Sequence, residues 1–473
     1  MLTRRSAIRL GALGGAGLLL SGGRAAAGTA PAVTPPAPFT VPLSVPPVLR
    51  PVRRTLTSDV YALTMKEADV EILPGVTTRV RGYGGLFPGP TIRARADRTT
   101  VVTHTNGLTV PASVHLHGGH TPSADDGQPM DMVMPGGRRT YTYPNQQVAS
   151  TLWYHDHAHH TEAESVFLGL AGTYLLSDAW EDCLRLPSGD QDVVLMLRDV
   201  KLDEQGGIAF SMLDGSAERD ILLVNGRPQP YMKVSGRKYR LRLLNSSNGR
   251  HYLLGLDNGD ALTQIASDGG LLPAPVPATT VALSPGERVD VVVDFARYAE
   301  GTRLVLTNTD PEAVDRTRDV LRFDVGAPEP DDSLLPDRLR PLPALGAATV
   351  TRDVVLDFDP VSGDPTIDGK VYDPDRVDTQ VAFGADEIWR VYNKDVTFRH
   401  NFHVHGVHFR VLDRDGTPVS GHEAGWKDTV AIPNGSTVRL QARFDRHTGR
   451  YLYHCHMLEH SSMGMMAQYE VLS

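Results

Sequence analysis

The stretch Tyr453-His454-Cys455-His456-Met457-Leu458-Glu459-His460-Ser461-Ser462-Met463-Gly464-Met465-Met466 concentrates soft and borderline metal ligands at short fixed spacings. In an extended segment successive side chains point to opposite faces, so Cys455 faces away from His454 and His456, whose α-carbons lie roughly 6–7 Å apart. One peptide segment can therefore serve two metal centres. Cys455, His460 and Met465 offer a thiolate, an imidazole and a weak axial thioether, and one more imidazole completes the His2Cys(Met) set of an electron-transfer copper. Taken singly, each of these residues is better explained as a buried thiol or a hydrogen-bonded core histidine. Their clustering is what argues for metal.

Upstream the chain repeats the His-x-His spacing three times. It reads Val114-His115-Leu116-His117-Gly118, then Trp153-Tyr154-His155-Asp156-His157, then His400-Asn401-Phe402-His403-Val404-His405-Gly406. With His454 and His456 this gives four pairs, each presenting two imidazoles to one side of an extended strand. Eight imidazoles suit three metal ions holding two, three and three ligands, with open positions for an oxygen ligand between them. His400, outside the pairs, is the expected second imidazole for Cys455.

The rest of the chain is read as an all-β frame. Alternating runs such as Thr99–Thr103, Val193–Leu197, Val289–Asp294 and Val438–Ala442 recur between Gly, Pro and Asn turns, and long amphipathic helical patterns are scarce. A weak repeat, strand then Asn106, Asn245 or Asn393, and later Met134-Pro135-Gly136, Ser284-Pro285-Gly286 or Pro433-Asn434-Gly435, occurs three times. The expected organisation is an extended lead at 28–54, sandwich domains at 55–185, 186–330 and 347–473, and a Pro- and Asp-rich linker at 331–346. The middle domain has no His-x-His pair and reads as a spacer.

Residues 1–27 read as a twin-arginine export signal: Thr3-Arg4-Arg5-Ser6, the apolar run Leu10–Leu20, then Ala25-Ala26-Ala27. That run is too short and glycine-rich for a membrane span, so the mature protein is expected to have none. The segment carries four arginines and no acid, so the remainder is more acidic than the −9 of the whole chain, which excludes nucleic acid as a partner. Of only two cysteines, Cys455 is committed to metal and Cys183 is expected to be a buried unpaired thiol.

These residues together resemble a three-domain multicopper oxidase, over essentially all of 55–473 and most closely in the bacterial spore-coat laccase and bilirubin oxidase branch. The likeness extends to His115-Leu116-His117-Gly118-Gly119, Tyr143-Pro144-Asn145-Gln146-Gln147, Ser267-Asp268-Gly269-Gly270-Leu271-Leu272-Pro273 and Gly425-Trp426-Lys427-Asp428-Thr429. The resemblance implies three cupredoxin-like Greek-key sandwiches and about four coppers. It implies a type 1 copper on His400, Cys455, His460 and Met465. It also implies a type 2 copper on His115 and His403, and a type 3 pair on His117, His155, His157, His405, His454 and His456. The implied reaction is one-electron oxidation of phenols, aromatic amines or tetrapyrroles, coupled to reduction of dioxygen to water.

Three further residues take roles from the same resemblance. Asp428 matches the acid that orients a type 1 imidazole, and Asp126 the acid that manages protons near the type 2 copper. The branch usually carries an acid immediately after the last type 1 histidine, where this chain has Ser461. A serine hydroxyl does not titrate near neutral pH. Proton delivery is then expected to lean on Asp126, with Ser461→Glu speeding reoxidation by dioxygen. Met130, Met132 and Met134 are expected to pack in the core rather than gather copper. His104, His120, His251, His408, His422 and His447 are assigned to core or surface, and His159 and His160 are left out of the metal set. Two alternatives accompany this reading: a cuprous-ion oxidase, which modest methionine content disfavours, and a copperless envelope scaffold, which the complete set of twelve ligand positions disfavours.

Overall fold

Strands form where Val, Thr, Ile and Tyr recur at period two. Thr99–Asn106 alternates strictly between half-buried and buried positions, with Thr100, Val102, His104 and Asn106 inward. The computed structural model describes residues 33–473. The expected export signal lies outside the described residues.

Three sandwiches follow one another along the chain, each of two facing sheets, with strands confined to 53–177, 192–328 and 350–472. Non-consecutive neighbours within each sheet, such as Ile221–Val224, Asp192–Val200, Lys238–Asn245 and Arg288–Asp294 side by side, give the Greek-key crossing expected of cupredoxin-like units. Each has its own apolar core. In the middle one Leu241, Leu243, Val291 and Val293 face Leu254, Leu304, Leu306 and Phe323, each such side chain contributing about 1.5–3 kcal/mol of burial.

Register decides where the histidines fall. In the first sandwich Val114–His117 pairs antiparallel with Ser150–Asp156, setting His115 opposite His155 and His117 opposite Trp153. In the third, His400–Val404 pairs with Gly449–His454, His403 opposite His454, and with Thr429–Ile432, His403 opposite Thr429 and His400 opposite Ile432. Histidines of these two sheets come together in the folded chain.

Residues 33–52 run as a strap along the first two sandwiches. Phe39 and Leu43 donate backbone hydrogen bonds to Gln229 and Tyr231 of the middle sandwich, and Leu49 donates to Thr91 of the first. At the other end, residues 329–349 cross without a strand from the second sandwich to the third. They touch down where Leu339 and Arg340 donate to Pro273 and Leu272. Among the described residues no helix is long and apolar enough to cross a membrane.

Two expectations need correction. Cys183 is exposed, because it ends the short surface helix Ala179–Cys183 in which no residue is buried. Met130 and Met134 are also exposed; their segment forms no strand beyond a single bridge at Val133, so alternation in sequence does not become a shared inward face.

Candidate metal centre

The chain brings eight histidines to the junction of the first and third sandwiches, all buried. Ligand atoms of His117, His155 and His456 fall within 4.8 Å of one another, as do those of His157, His405 and His454, and those of His115, His117 and His403. His117 and His403 stack with ring centroids 3.7 Å apart, and His115 and His405 at 3.8 Å.

Hydrogen bonds on the outer side of these rings set which nitrogen faces inward. The Nδ1–H groups of His115, His155, His403 and His454 donate to the backbone carbonyls of Asp126, Asp156, Asp428 and Cys455, at 2.7, 2.8, 2.8 and 3.0 Å. His405 Nδ1 donates to Asp126 Oδ2 at 2.7 Å, and His117 Nε2 to Asp428 Oδ1 at 2.9 Å. The opposite nitrogens are lone pairs. Those of His115, His117, His155 and His403 have no partner although buried, and Nε2 of His405 and of His454 face each other at 3.1 Å with no proton to share. Buried acceptors without a donor are costly, and cations placed among them supply what is missing. Burial also holds the imidazoles of His115, His117, His157, His405, His454 and His456 well below their usual range, and His155 at about 3. Neutral imidazole is the ligand form. The donor set fits borderline metals such as copper.

On the other side of the same backbone lies a second group. Cys455 Sγ is 3.5 Å from His400 Nδ1 and 3.7 Å from His460 Nδ1, with those nitrogens 3.3 Å apart. Met465 is fully buried in the same core cluster as Cys455, and the two are joined by a backbone hydrogen bond from Cys455 N to Met465 O. Burial pushes the Cys455 thiol up to about 12, so a metal binding there displaces a proton. Asn401 spans both groups: its Oδ1 accepts from His456 N at 2.7 Å and lies 3.6 Å from Cys455 Sγ.

The acids require one reassignment. Asp428 touches neither His400 nor His460; it holds His117 and lies 3.5 Å from His403 Nδ1. Register explains this. Asp428 precedes Thr429, the partner of His403, and so stands at the cluster end of the strand, four residues from Ile432, which pairs with His400. Asp126 lies beneath His115 and His405, and burial raises its carboxyl to about 8 against a hydrogen bond from Thr121.

Ser461 is not alone. Its hydroxyl donates to Glu162 Oε2 at 2.6 Å. Glu162 opens the short helix Glu162–Phe167, five residues after His157, and its other oxygen lies 3.5 Å from His157 Nδ1 with no hydrogen-bond partner. Burial pushes this carboxyl well above the usual range, the hydrogen bond from Ser461 acting the other way. Besides Asp126, on which proton delivery is expected to lean, a second buried carboxyl group thus lies beside the cluster, from a different element. Glu459, by contrast, turns away to pair with Arg219 at 2.6 Å and accept from Asn248.

The middle sandwich is also more than a spacer. Gly286 has φ +87° and comes so close to the cluster that a Cβ there would sit 3.0 Å from His117 Cε1. Only glycine combines that backbone with that approach. Arg288, Asp268 and Glu287 reach across to Asp428 and Lys427. Sequence reading missed Glu162, Arg288 and Asn401; the one available signal was Asp268 and Lys427 lying in segments already singled out.

The sequence matches the multicopper oxidase family over residues 64–180 and 347–473. It is 33% identical to a laccase of Bacillus subtilis (strain 168) over 92% of this chain and 98% of that one. It is 35% identical to a bilirubin oxidase of Albifimbria verrucaria over 91% and 81%. The crystal structure of a laccase from Pediococcus acidilactici Pa5930 superposes with a TM-score of 0.86 at 33% identity, covering 94% of this chain and 96% of that one. The chain belongs to the multicopper oxidase family, close to its laccase and bilirubin oxidase branch, and is an oxidoreductase that uses copper, typically four ions, and dioxygen as acceptor.

Proposed function

We propose that this oxidase is exported and takes single electrons from small aromatic molecules at the edge of His460. One observation carries the substrate class. His460 is the most accessible of the His400, Cys455, His460 and Met465 group, and aromatic rings frame it: Phe358 at 5.3 Å and Phe398 at 6.0 Å, both edge-on, with Phe398 and Val396 exposed. Such a rim stacks against a phenol or aromatic amine. Phe398→Ala is expected to lower kcat/KM for a phenol by about 10-fold, in line with one lost aromatic contact, while leaving oxidation of cuprous ion unchanged. Loss on cuprous ion alone would favour the metal-oxidase reading instead.

In this proposal His400, Cys455, His460 and Met465 hold the type 1 copper and His115 and His403 the type 2. His117, His155 and His456 hold one type 3 ion, and His157, His405 and His454 the other. When bound, copper supplies the one-electron redox chemistry that matches four single-electron oxidations to reduction of one dioxygen to two waters. The protein supplies the rest. Cys455 sits covalently between His454 and His456, so both centres share three consecutive residues, and Asn401 fixes the spacing. Asp126 and Glu162 are buried carboxyl groups on two sides of the cluster, placed to hold protons where water forms.

Met465→Leu is expected to leave copper bound and to raise the type 1 potential, because a weak axial ligand tunes such a site without anchoring it. Redox titration of the blue band checks this; an unchanged potential would remove Met465 from the set.

A further inference from the structure

Arg288 is fully buried at the start of the middle sandwich's strand Arg288–Asp294. A guanidinium has five N–H donors in a fixed plane, and here each has an acceptor. Nε donates to Thr151 O of the first sandwich at 2.8 Å. One donor each from Nη1 and Nη2 goes to Gly286 O and Asp268 O of the middle sandwich, at 3.1 and 3.2 Å. The remaining two form a fork on Asp428 of the third sandwich, Nη1 to Oδ1 at 2.7 Å and Nη2 to Oδ2 at 2.6 Å.

Asp428 passes this fixed position to the histidines. Its Oδ1 accepts from His117 Nε2 at 2.9 Å and from Thr429 Oγ1 at 2.9 Å, and its backbone carbonyl accepts from His403 Nδ1 at 2.8 Å. The Thr429 hydroxyl lies 3.0 Å from His117 Nε2 and 3.1 Å from His403 Nδ1. Around this line Lys427 Nζ bridges Asp268 and Glu287 at 3.1 and 3.0 Å. Asp268 Oδ1 in turn accepts from the Arg288 backbone N–H at 2.8 Å. Two cations stand against three carboxylates, an arrangement that favours a further positive charge beside it.

We propose that Arg288 is a positioning residue for the type 2 copper. By fixing Asp428 across all three sandwiches it places the backbone carbonyl that sets the tautomer of the type 2 ligand His403, and the carboxylate that holds the type 3 ligand His117 stacked upon it, so retention of the type 2 ion depends on a domain that contributes no ligand. The inference rests on the ligand assignment given above. Groups that orient a metal's histidines typically change its affinity about 10- to 100-fold when removed. Lysine keeps the charge of Arg288 but cannot form the planar fork or serve five acceptors.

The test compares copper-loaded wild type with Arg288→Lys and Asp428→Asn by copper analysis, paramagnetic resonance and dialysis against a chelator. Both variants are expected to keep the blue absorption of the Cys455 site, to show an altered or missing type 2 signal, and to lose one copper per chain about 10- to 100-fold faster. The double variant is expected to be little worse than either single one, because both act on one line of contacts. A general loss of stability would bleach the blue band as well, which separates a merely structural role. Full copper content and an unaltered type 2 signal in Arg288→Lys would overturn the proposal, and if that variant does not fold, the same result in Asp428→Asn overturns it. A wild type lacking any type 2 signal would instead sink the ligand assignment.

Discussion

Cys455→Ser is expected to yield a folded, colourless protein with no oxidase turnover above background. The intense blue absorption of a type 1 centre is thiolate-to-copper charge transfer, and Cys455 is the one buried thiol among the described residues. Its sulfur stands 3.5 and 3.7 Å from the two imidazoles that complete the set. Serine keeps the volume and the backbone hydrogen bond but offers a hard hydroxyl that stays protonated. The path between the two centres loses its only covalent member on the sulfur side, so phenol oxidation and oxygen uptake stop together. Visible spectra, copper analysis and oxygen uptake check this; a variant that stays blue would place the type 1 centre elsewhere.

Glu162→Gln is expected to slow reoxidation of the reduced enzyme by dioxygen about 100-fold, the typical weight of a positioned acid, while reduction by a phenol under anaerobic conditions is unchanged. Glutamine keeps the size and accepts from Ser461 but cannot donate a carboxyl proton. The contact at 2.6 Å between Ser461 and Glu162 also changes what Ser461→Glu does. Alone, that substitution adds a second acid where one already stands and gives little acceleration. In the Glu162→Gln background it restores much of the lost rate. Stopped-flow reoxidation distinguishes the cases, and an unchanged rate in Glu162→Gln would leave Asp126 as the sole acid serving the cluster.

What could be read from the chain follows physical range. The His-x-His pairs were legible because a strand repeats every two residues, so spacing in sequence becomes direction in space. The all-β frame was legible for the same reason. Asp428 was assigned to the wrong centre because its neighbours depend on the register between Thr429–Ile432 and His400–Val404, which no local pattern encodes. Glu162 was overlooked because nothing around it marks an acid as inward-facing until the helix Leu458–Ser462 packs against it. Arg288 lies 140 residues from its partner Asp428; a contact of that separation exists only in the docked fold. Met130 and Met134 misled in the other direction, since alternation means a shared face only where a strand forms.

The crossing between the second and third sandwiches has a consequence for how the oxidase can be switched off. Residues 346–349 of that crossing are exposed, whereas the cluster draws on strands of both the first and the third sandwich. A single proteolytic cut there would destroy no ligand. It would turn the meeting of the two histidine-bearing sheets from an intramolecular event, at an effective concentration on the order of millimolar, into an encounter between two fragments. Nicked enzyme held together by the buried contacts at Arg288 would keep working, and dilution would then make its activity depend on its own concentration.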